Sequence, residues 1–305
     1  MRNPGLKRLR GFMRVLLRRS TRLVLVYIVA TSALIAVALP VILPVSHNYY
    51  ALDGARLGHL KLAKRGSAWL LTLRDLQGVE PGKALLVVAR EEPLGYDELE
   101  QVVEFARRGG VVVFYGSESA TKQLFEHLGV AVSHLGSVVD PVFSVNESSL
   151  VLVSTASLNT TLLLDSPYSI QVLGRVEGVD VKPLAYTSAL SYIDSNSDGE
   201  YSVGEPIGSF PVAYSIRLGS GELLAFCARG VLTNSVFSYN VNWLEGLATT
   251  RSVLLDQSWA RASWLLYLKL VVSTPRGASP LYISLLAAAL ALVTTYAYSA
   301  AHERS

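Results

Sequence analysis

A single cysteine, Cys227, leaves the chain without an intrachain disulfide, so a domain exposed to an oxidising compartment must rely on its core or on a bound metal. In "ELLAFCARG" that cysteine closes an apolar run, the setting of a buried strand residue. Histidine is scarce as well. His47, His59, His127, His134 and His302 are the only five, and none has the spacing of a metal pair or a catalytic dyad. Charge is missing altogether from Leu23 to Leu52 and from Gly277 to Ala301. With 50% hydrophobic and 17% charged residues, the chain is too apolar for an ordinary soluble domain, and the excess lies at its two ends.

Those two runs have the length and polarity of membrane spans. "LVLVYIVATSALIAVALPVIL", residues 23–43, is long enough to cross a hydrocarbon core of about 30 Å as a helix. The second, 280–300, carries Tyr282, Tyr296 and Tyr298 near its ends, where amphipathic rings favour the headgroup zone. Eight basic residues and no acid fill 1–22, which places this head and the tail 301–305 in the cytoplasm and residues 46–260 outside. A cleaved signal peptide ending near "AVA" at 36–38 is the competing reading, although the apolar run continues past it. Setting aside the eight basic residues of the head together with Glu303 and Arg304 leaves 18 Lys and Arg against 23 Asp and Glu, so the outer region is about −5. That balance argues against nucleic acid as a partner and assigns the basic head to topology and to membrane lipids.

Within the outer region "GKALLVVARE" is a continuous apolar run of the kind found in buried parallel strands. "EPLGYDELEQVVEFARRGG" follows as a helix, with acids at its start, Arg107 and Arg108 at its end and Gly109 as a stop. "VVVFYG" is the next strand and "SATKQLFEHLGV" the next helix, a βαβα unit. Short β-branched runs from Ser137 to Ser188 predict added strands. "PVAYSIRLGSGELLAFCA" predicts a hairpin turning at Gly219 to Gly221, "VNWLEGLA" a helix and "RSVLLDQSW" a last strand. The apolar segment 261–279, broken by Lys269, suits the membrane interface.

Four stretches carry a family likeness: "ALLVVAREEPLGYDELEQVVEFARRGGVVVFYG", "SYIDSNSDGEYSVGEPIGSFPVAY", "GSGELLAFCARGVLTNSVFSYNVNWL" and "SVLLDQSW". In their order and wording, over most of residues 45–260, the chain resembles the family catalogued as domain of unknown function 4350. The resemblance implies a membrane-anchored prokaryotic, archaeal member with a three-layer α/β domain like that of class I glutamine amidotransferases, flavodoxin-like, with added β strands between two transmembrane helices. None of the four stretches is a catalytic signature. The family's frequent acidic residue after the strand matching "ELLAFCA" is Ala228 here, and its Asp-Glu-Ser-His-like ending stands as Asp256, Gln257, Ser258 and Trp259.

A nucleophile elbow is sought at "YGSESA", but Tyr115 stands where the G-x-S-x-G pattern needs glycine, and helix capping is the simpler role for Ser117 or Ser119. Ser117, His127 or His134, and Asp140 form a catalytic set only if the fold gathers them. No catalytic residue is assigned, and the expected role is a non-enzymatic accessory or binding component of a membrane assembly with an unidentified membrane-protein partner. An outer hydrolase using Ser117 or Cys227, and a calcium-stiffened surface protein, are the rivals.

"DSNSDGEYSVGE", residues 194–205, meets the demanding positions of a twelve-residue calcium loop. Asp194, Asn196 and Asp198 would offer side-chain oxygens, Glu200 its carbonyl, Ser202 a direct or water-mediated contact and Glu205 two carboxylate oxygens. Gly199 permits the turn, and Tyr201 is expected to close the loop by a β-type contact. Pro206 discourages an exiting helix, so calcium here would be a structural staple; a metal-free polar turn is the alternative. Asn146 and Asn159 match the glycan-acceptor pattern.

Overall fold

The computed structural model describes residues 47–155, 160–174, 178–263, 266–267 and 269–270. Both expected spans, the head, the tail, most of 261–279 and Asn159 lie outside the described residues. Among those described, no helix is long and apolar enough to cross a membrane. One compact unit is Ser46–Ala262, and it is a mixed α/β fold.

The chain order is α1 (Leu60–Lys64), β1 (Ala68–Leu70), β2 (Ala84–Arg90), α2 (Tyr96–Arg107), β3 (Val111–Gly116) and α3 (Glu118–His127). A β-rich stretch follows: β4 (Val132–Val139), β5 (Ser144–Val145), β6 (Glu147–Thr155), β7 (Thr161–Val172), β8 (Asp180–Tyr186) and β9 (Tyr192–Asp194). Then come β10 (Pro211–Leu218), β11 (Gly221–Phe226), β12 (Ala228–Gly230), α4 (Phe237–Ala248) and β13 (Ser252–Asp256). A 3₁₀ turn, Ser258–Ala262, closes the unit.

The sheet runs β1-β13-β2-β3-β11-β10-β8-β6-β7-β4-β9. Its first five strands are mutually parallel and the rest are antiparallel. All seven residues of β2 and all six of β3 are buried, as strands covered on both faces require. Alternation sends Leu86, Val88, Val112 and Phe114 to the face covered by α2 and α3. The opposite register sends Phe226 against Trp243 of α4, ring centroids 5.3 Å apart, and Tyr115 against His59.

Helix α2 forms because Leu99, Val102, Val103 and Ala106 fall on one stripe, all buried, with Asp97 and Glu98 in the first turn and Arg107 in the last. Each buried Leu, Val or Phe of that stripe contributes about 1.5–3 kcal/mol, so one charged substitution at Val103 would undo more than the helix's own propensity supplies. The β10–β11 hairpin turns at Gly219 and Ser220, with Leu218 opposite Gly221. The helix-like spacing of "LDGARLGHLKLAKRGSAWLL", residues 52–71, yields little helix. Only five residues, Leu60–Lys64, are α-helical, because glycines on both sides stop the run.

Candidate functional site

In an open parallel sheet the carboxyl ends of the strands border a crevice, and ligands bind there. Here β2 ends at Arg90 and its neighbour β13 at Asp256, and the crevice beside them has a volume of about 790 Å³. One wall is the first residues of the unit, His47 to Tyr49. Another is the β2–α2 loop, Arg90 to Pro93, with Glu98 of α2, and the third is Ser258, Trp259 and Ala262.

The floor is charged and tightly paired. Arg90 Nη2 lies 2.7 Å from Asp256 Oδ2 and donates to Ser258 Oγ at 2.7 Å, while the Ser258 amide donates to Asp256 Oδ1 at 2.9 Å. Gln257 fixes the opposite wall, donating from Nε2 to the Tyr49 carbonyl at 2.9 Å and accepting from the Ala51 amide at 2.9 Å. At the rim, Arg229 Nη2 meets Glu91 Oε1 at 2.6 Å, and Asn48 Nδ2 donates to Glu91 Oε2 at 3.2 Å. Trp259 stacks on His47 with centroids 4.5 Å apart.

Tyr49 takes a left-handed backbone, φ +63°, uncommon for a bulky residue. Its carbonyl compensates by accepting from both Gln257 and His59 Nδ1, the latter at 2.8 Å. Because Nδ1 donates there, His59 Nε2 accepts from the Tyr115 hydroxyl. His59 is fully buried, and burial pushes its pKa down to about 4, so the ring is neutral at neutral pH. Burial, then the nearby Glu91 carboxylate, pushes the Tyr49 phenol well up. Three covered donors on the walls make no hydrogen bond of ordinary geometry: Arg90 Nε, Trp259 Nε1 and Tyr49 Oη, the last with the Arg229 guanidinium close by. Each such group costs about 1–3 kcal/mol while unpaired.

The other sequence candidates are occupied. Gly116, φ +148°, makes the turn out of β3, and a Cβ there would lie 1.9 Å from the Arg90 carbonyl oxygen. The residue after it, Ser117, caps α3, its Oγ accepting from the Ala120 amide at 3.2 Å. Among the described residues no hydrogen bond joins Ser117 to a histidine: His127 pairs with Glu100 at 2.7 Å and His134 with Glu118 at 3.0 Å. Asp140 accepts from the Val142 and Phe143 amides and from Ser191 Oγ; burial alone would raise its pKa, but these bonds and one from Ser188 hold it low. Cys227 is buried and its thiol is pushed up by desolvation, the reverse of an activated nucleophile.

The loop 194–205 is folded by its own hydrogen bonds. Asp194 accepts from the Asp198 and Gly199 amides at 3.2 and 2.9 Å, Asn196 from Asp198 at 3.2 Å, and Asp198 from Glu200 at 2.8 Å. Asn196 Nδ2 donates to Ser202 Oγ at 3.3 Å. Glu205 reaches back to the Ser195 and Ser202 amides, both at 2.8 Å. Among the described residues no group of three or more His, Cys, Asp or Glu side chains lies close enough together to hold a metal ion. Loop closure falls on Tyr192, which bridges Ile207, and on the Ile193 amide, which donates to the Pro206 carbonyl; Tyr201 packs its ring edge-on to Tyr192, as a ring set against the domain should, but forms no bridge among the described residues. That corrects the expected β-type contact at Tyr201. Asn146 is exposed in the turn between β5 and β6.

Sequence reading met Asp256 and Ser258 only as a departure from the family's polar ending, assigned them no role, and missed Arg90, Glu91, Arg229 and His59. The available signal was an arginine closing an otherwise apolar strand, "ALLVVAR", where a buried charge demands a partner.

No protein-family model and no curated protein matches the chain. Among solved structures it is similar to the mmIFT52 N-terminal domain, at 15% identity and TM-score 0.40 over 59% of this chain and 81% of that one. It is also similar to Gan42B, a GH42 β-galactosidase, at 13% identity and TM-score 0.34, over 58% of this chain but only 22% of the other. A cytoplasmic protein from Salmonella typhimurium aligns at 10% identity and TM-score 0.30 over 60% and 76%. Likeness this distant assigns neither activity nor partner.

Proposed function

We propose that this chain is a non-enzymatic, membrane-anchored binding protein whose outer α/β unit, of the amidotransferase-like kind its sequence resembles, holds a small ligand in the crevice. The single observation behind this reading is where the polar chemistry sits. Paired charges, with covered donors on the residues beside them, border an open crevice at the strand ends, whereas Ser117 serves a helix cap and Cys227 is sealed in the core. A ligand site needs the first, and a nucleophile needs the reverse of the second.

Docking to a membrane-protein partner belongs to the same reading. Val142, Phe143, Leu190 and Ile207 are 47 to 59% exposed, and the Asp140 hydrogen bonds hold the first two beside the Ser188 to Ser191 turn that carries Leu190. Exposed apolar groups gathered this way favour an interaction surface over bare solvent. Calcium enters as a staple of loop 194–205. The loop's own amides already wrap Asp194, Asn196, Asp198, Ser202 and Glu205 around one another, so a cation would need only to draw their oxygens inward.

The test uses the full chain in lipid nanodiscs. Ligands that raise its melting temperature should do so far less in Trp259→Ala and Ser258→Ala, with no turnover of ester, amide or glutamine substrates. Turnover that disappears in Ser117→Ala or Cys227→Ala would instead make it a hydrolase.

A further inference from the structure

We infer that the ligand of this crevice is a neutral carbohydrate, a mono- or disaccharide unit of a glycan; this rests on the binding reading above and narrows it by charge and by hydrogen-bond type. Anions are disfavoured first. Glu91, Glu92 and Glu98 stand around the opening, and neither guanidinium nearby has charge to spare, since Arg90 is paired with Asp256 at 2.7 Å and Arg229 with Glu91 at 2.6 Å. A phosphate or carboxylate would meet repulsion with no uncommitted cation to offset it.

A cationic amine suits the three carboxylates but fails on the second criterion. Trp259 Nε1 is a donor without an acceptor, and an ammonium group offers none. A sugar hydroxyl accepts and donates at once. Its oxygens can take a hydrogen bond from the indole nitrogen while its protons go to carboxylates such as Glu92, which is exposed and makes no ion pair or hydrogen bond among the described residues. That nitrogen is covered, so a sugar reaches it by a slight turn of the partly buried indole into the opening, which the bond it lacks favours. The His47–Trp259 stack supplies the aromatic wall against which the apolar C–H face of a pyranose ring packs. A volume of about 790 Å³ accommodates a ligand of this size.

Saturation-transfer difference NMR on the full chain tests this. The protein is placed in nanodiscs of zwitterionic lipid, prepared without sugar-headgroup detergents. The probes are glucose, galactose, mannose, N-acetylglucosamine, cellobiose, lactose and chitobiose, with spermidine and inorganic phosphate as contrasts. At least one sugar should show transfer to its ring C–H protons, and its affinity should fall about tenfold in Trp259→Ala. Glu92→Gln, at an exposed position that leaves folding intact, should weaken the same sugar severalfold. Spermidine or phosphate binding in place of every sugar, lost in Trp259→Ala, would overturn the carbohydrate assignment and leave a binding crevice. No binding by any probe, sugars and contrasts alike, would overturn both.

Discussion

Arg90 and Asp256 form an ion pair of 2.7 Å across the ends of two adjacent parallel strands, with side chains only 7% and 0% exposed. Both side chains are largely withdrawn from water, so each charge depends on the other and on Ser258. Removing one partner strands the other in low dielectric. Asp256→Ala or Arg90→Ala should each cost about 3–5 kcal/mol in denaturant unfolding, whereas the double replacement Arg90→Met with Asp256→Leu should cost much less than the sum. Additive losses would show that the pair is not coupled.

His59 gives the fold a pH dependence whose sign is fixed by burial. Its pKa falls to about 4 in the folded unit against about 6.5 in an unfolded chain, so the unfolded state takes up the proton first. Stability contributed by the neutral ring is complete above about pH 6.5 and is lost as pH falls toward 4, by roughly 3 kcal/mol in all. Unfolding free energies measured across that window should decline more steeply for wild type than for His59→Gln, which has no proton to gain. Parallel profiles would mean that the ring is protonated in the folded protein.

Much of the fold was legible and most of the site was not, for one physical reason. Strands β2 and β3, helices α2 and α3 and the β10–β11 hairpin are local patterns of apolar spacing and turn residues, which a sequence displays directly. The crevice is built from residues far apart in the chain: His47, Arg90 and Trp259 meet because parallel strands end side by side, and Arg229 reaches Glu91 at the rim from β12. Arg90 reads locally as the polar end of a strand, and its partner lies 166 residues later. Asp140 shows the converse. Named with Ser117 and a histidine as a set that only the fold could gather, and given no catalytic role, it holds its own turn together.

The basic head and the two uncharged runs predict a topology with residues 46–260 outside. With Cys227→Ser as background, a cysteine at Ser220, exposed at the hairpin tip, should react with a membrane-impermeant label on intact cells. A cysteine at Ser20 should react only after lysis. The opposite pattern would invert the orientation and move the crevice to the cytoplasmic side.

The calcium loop can be decided by linkage. Asp194, Asp198 and Glu205 place three carboxylates in a segment with no Lys or Arg between Lys182 and Arg217, so the loop carries uncompensated negative charge that a divalent cation would relieve. Calcium binding to the folded loop, and hardly at all to the unfolded one, should stabilise the unit by roughly 2.7 kcal/mol at about a hundred times the dissociation constant. Magnesium should do little, since its small octahedral shell suits a loop offering seven oxygens poorly. Melting of the full chain is followed through a calcium titration and compared with Asp194→Ala and Glu205→Gln, which remove the first ligand and the bidentate one. Asp194→Ala also leaves the Asp198 and Gly199 amides without their acceptor, and Glu205→Gln weakens the acceptor of the Ser195 and Ser202 amides, so the melting of both variants in chelator must be measured first. Only a calcium-dependent rise present in wild type and absent from both counts as binding. Identical melting of wild type in calcium and in chelator, with no heat of binding at millimolar metal, would leave the loop a polar turn held by its own hydrogen bonds.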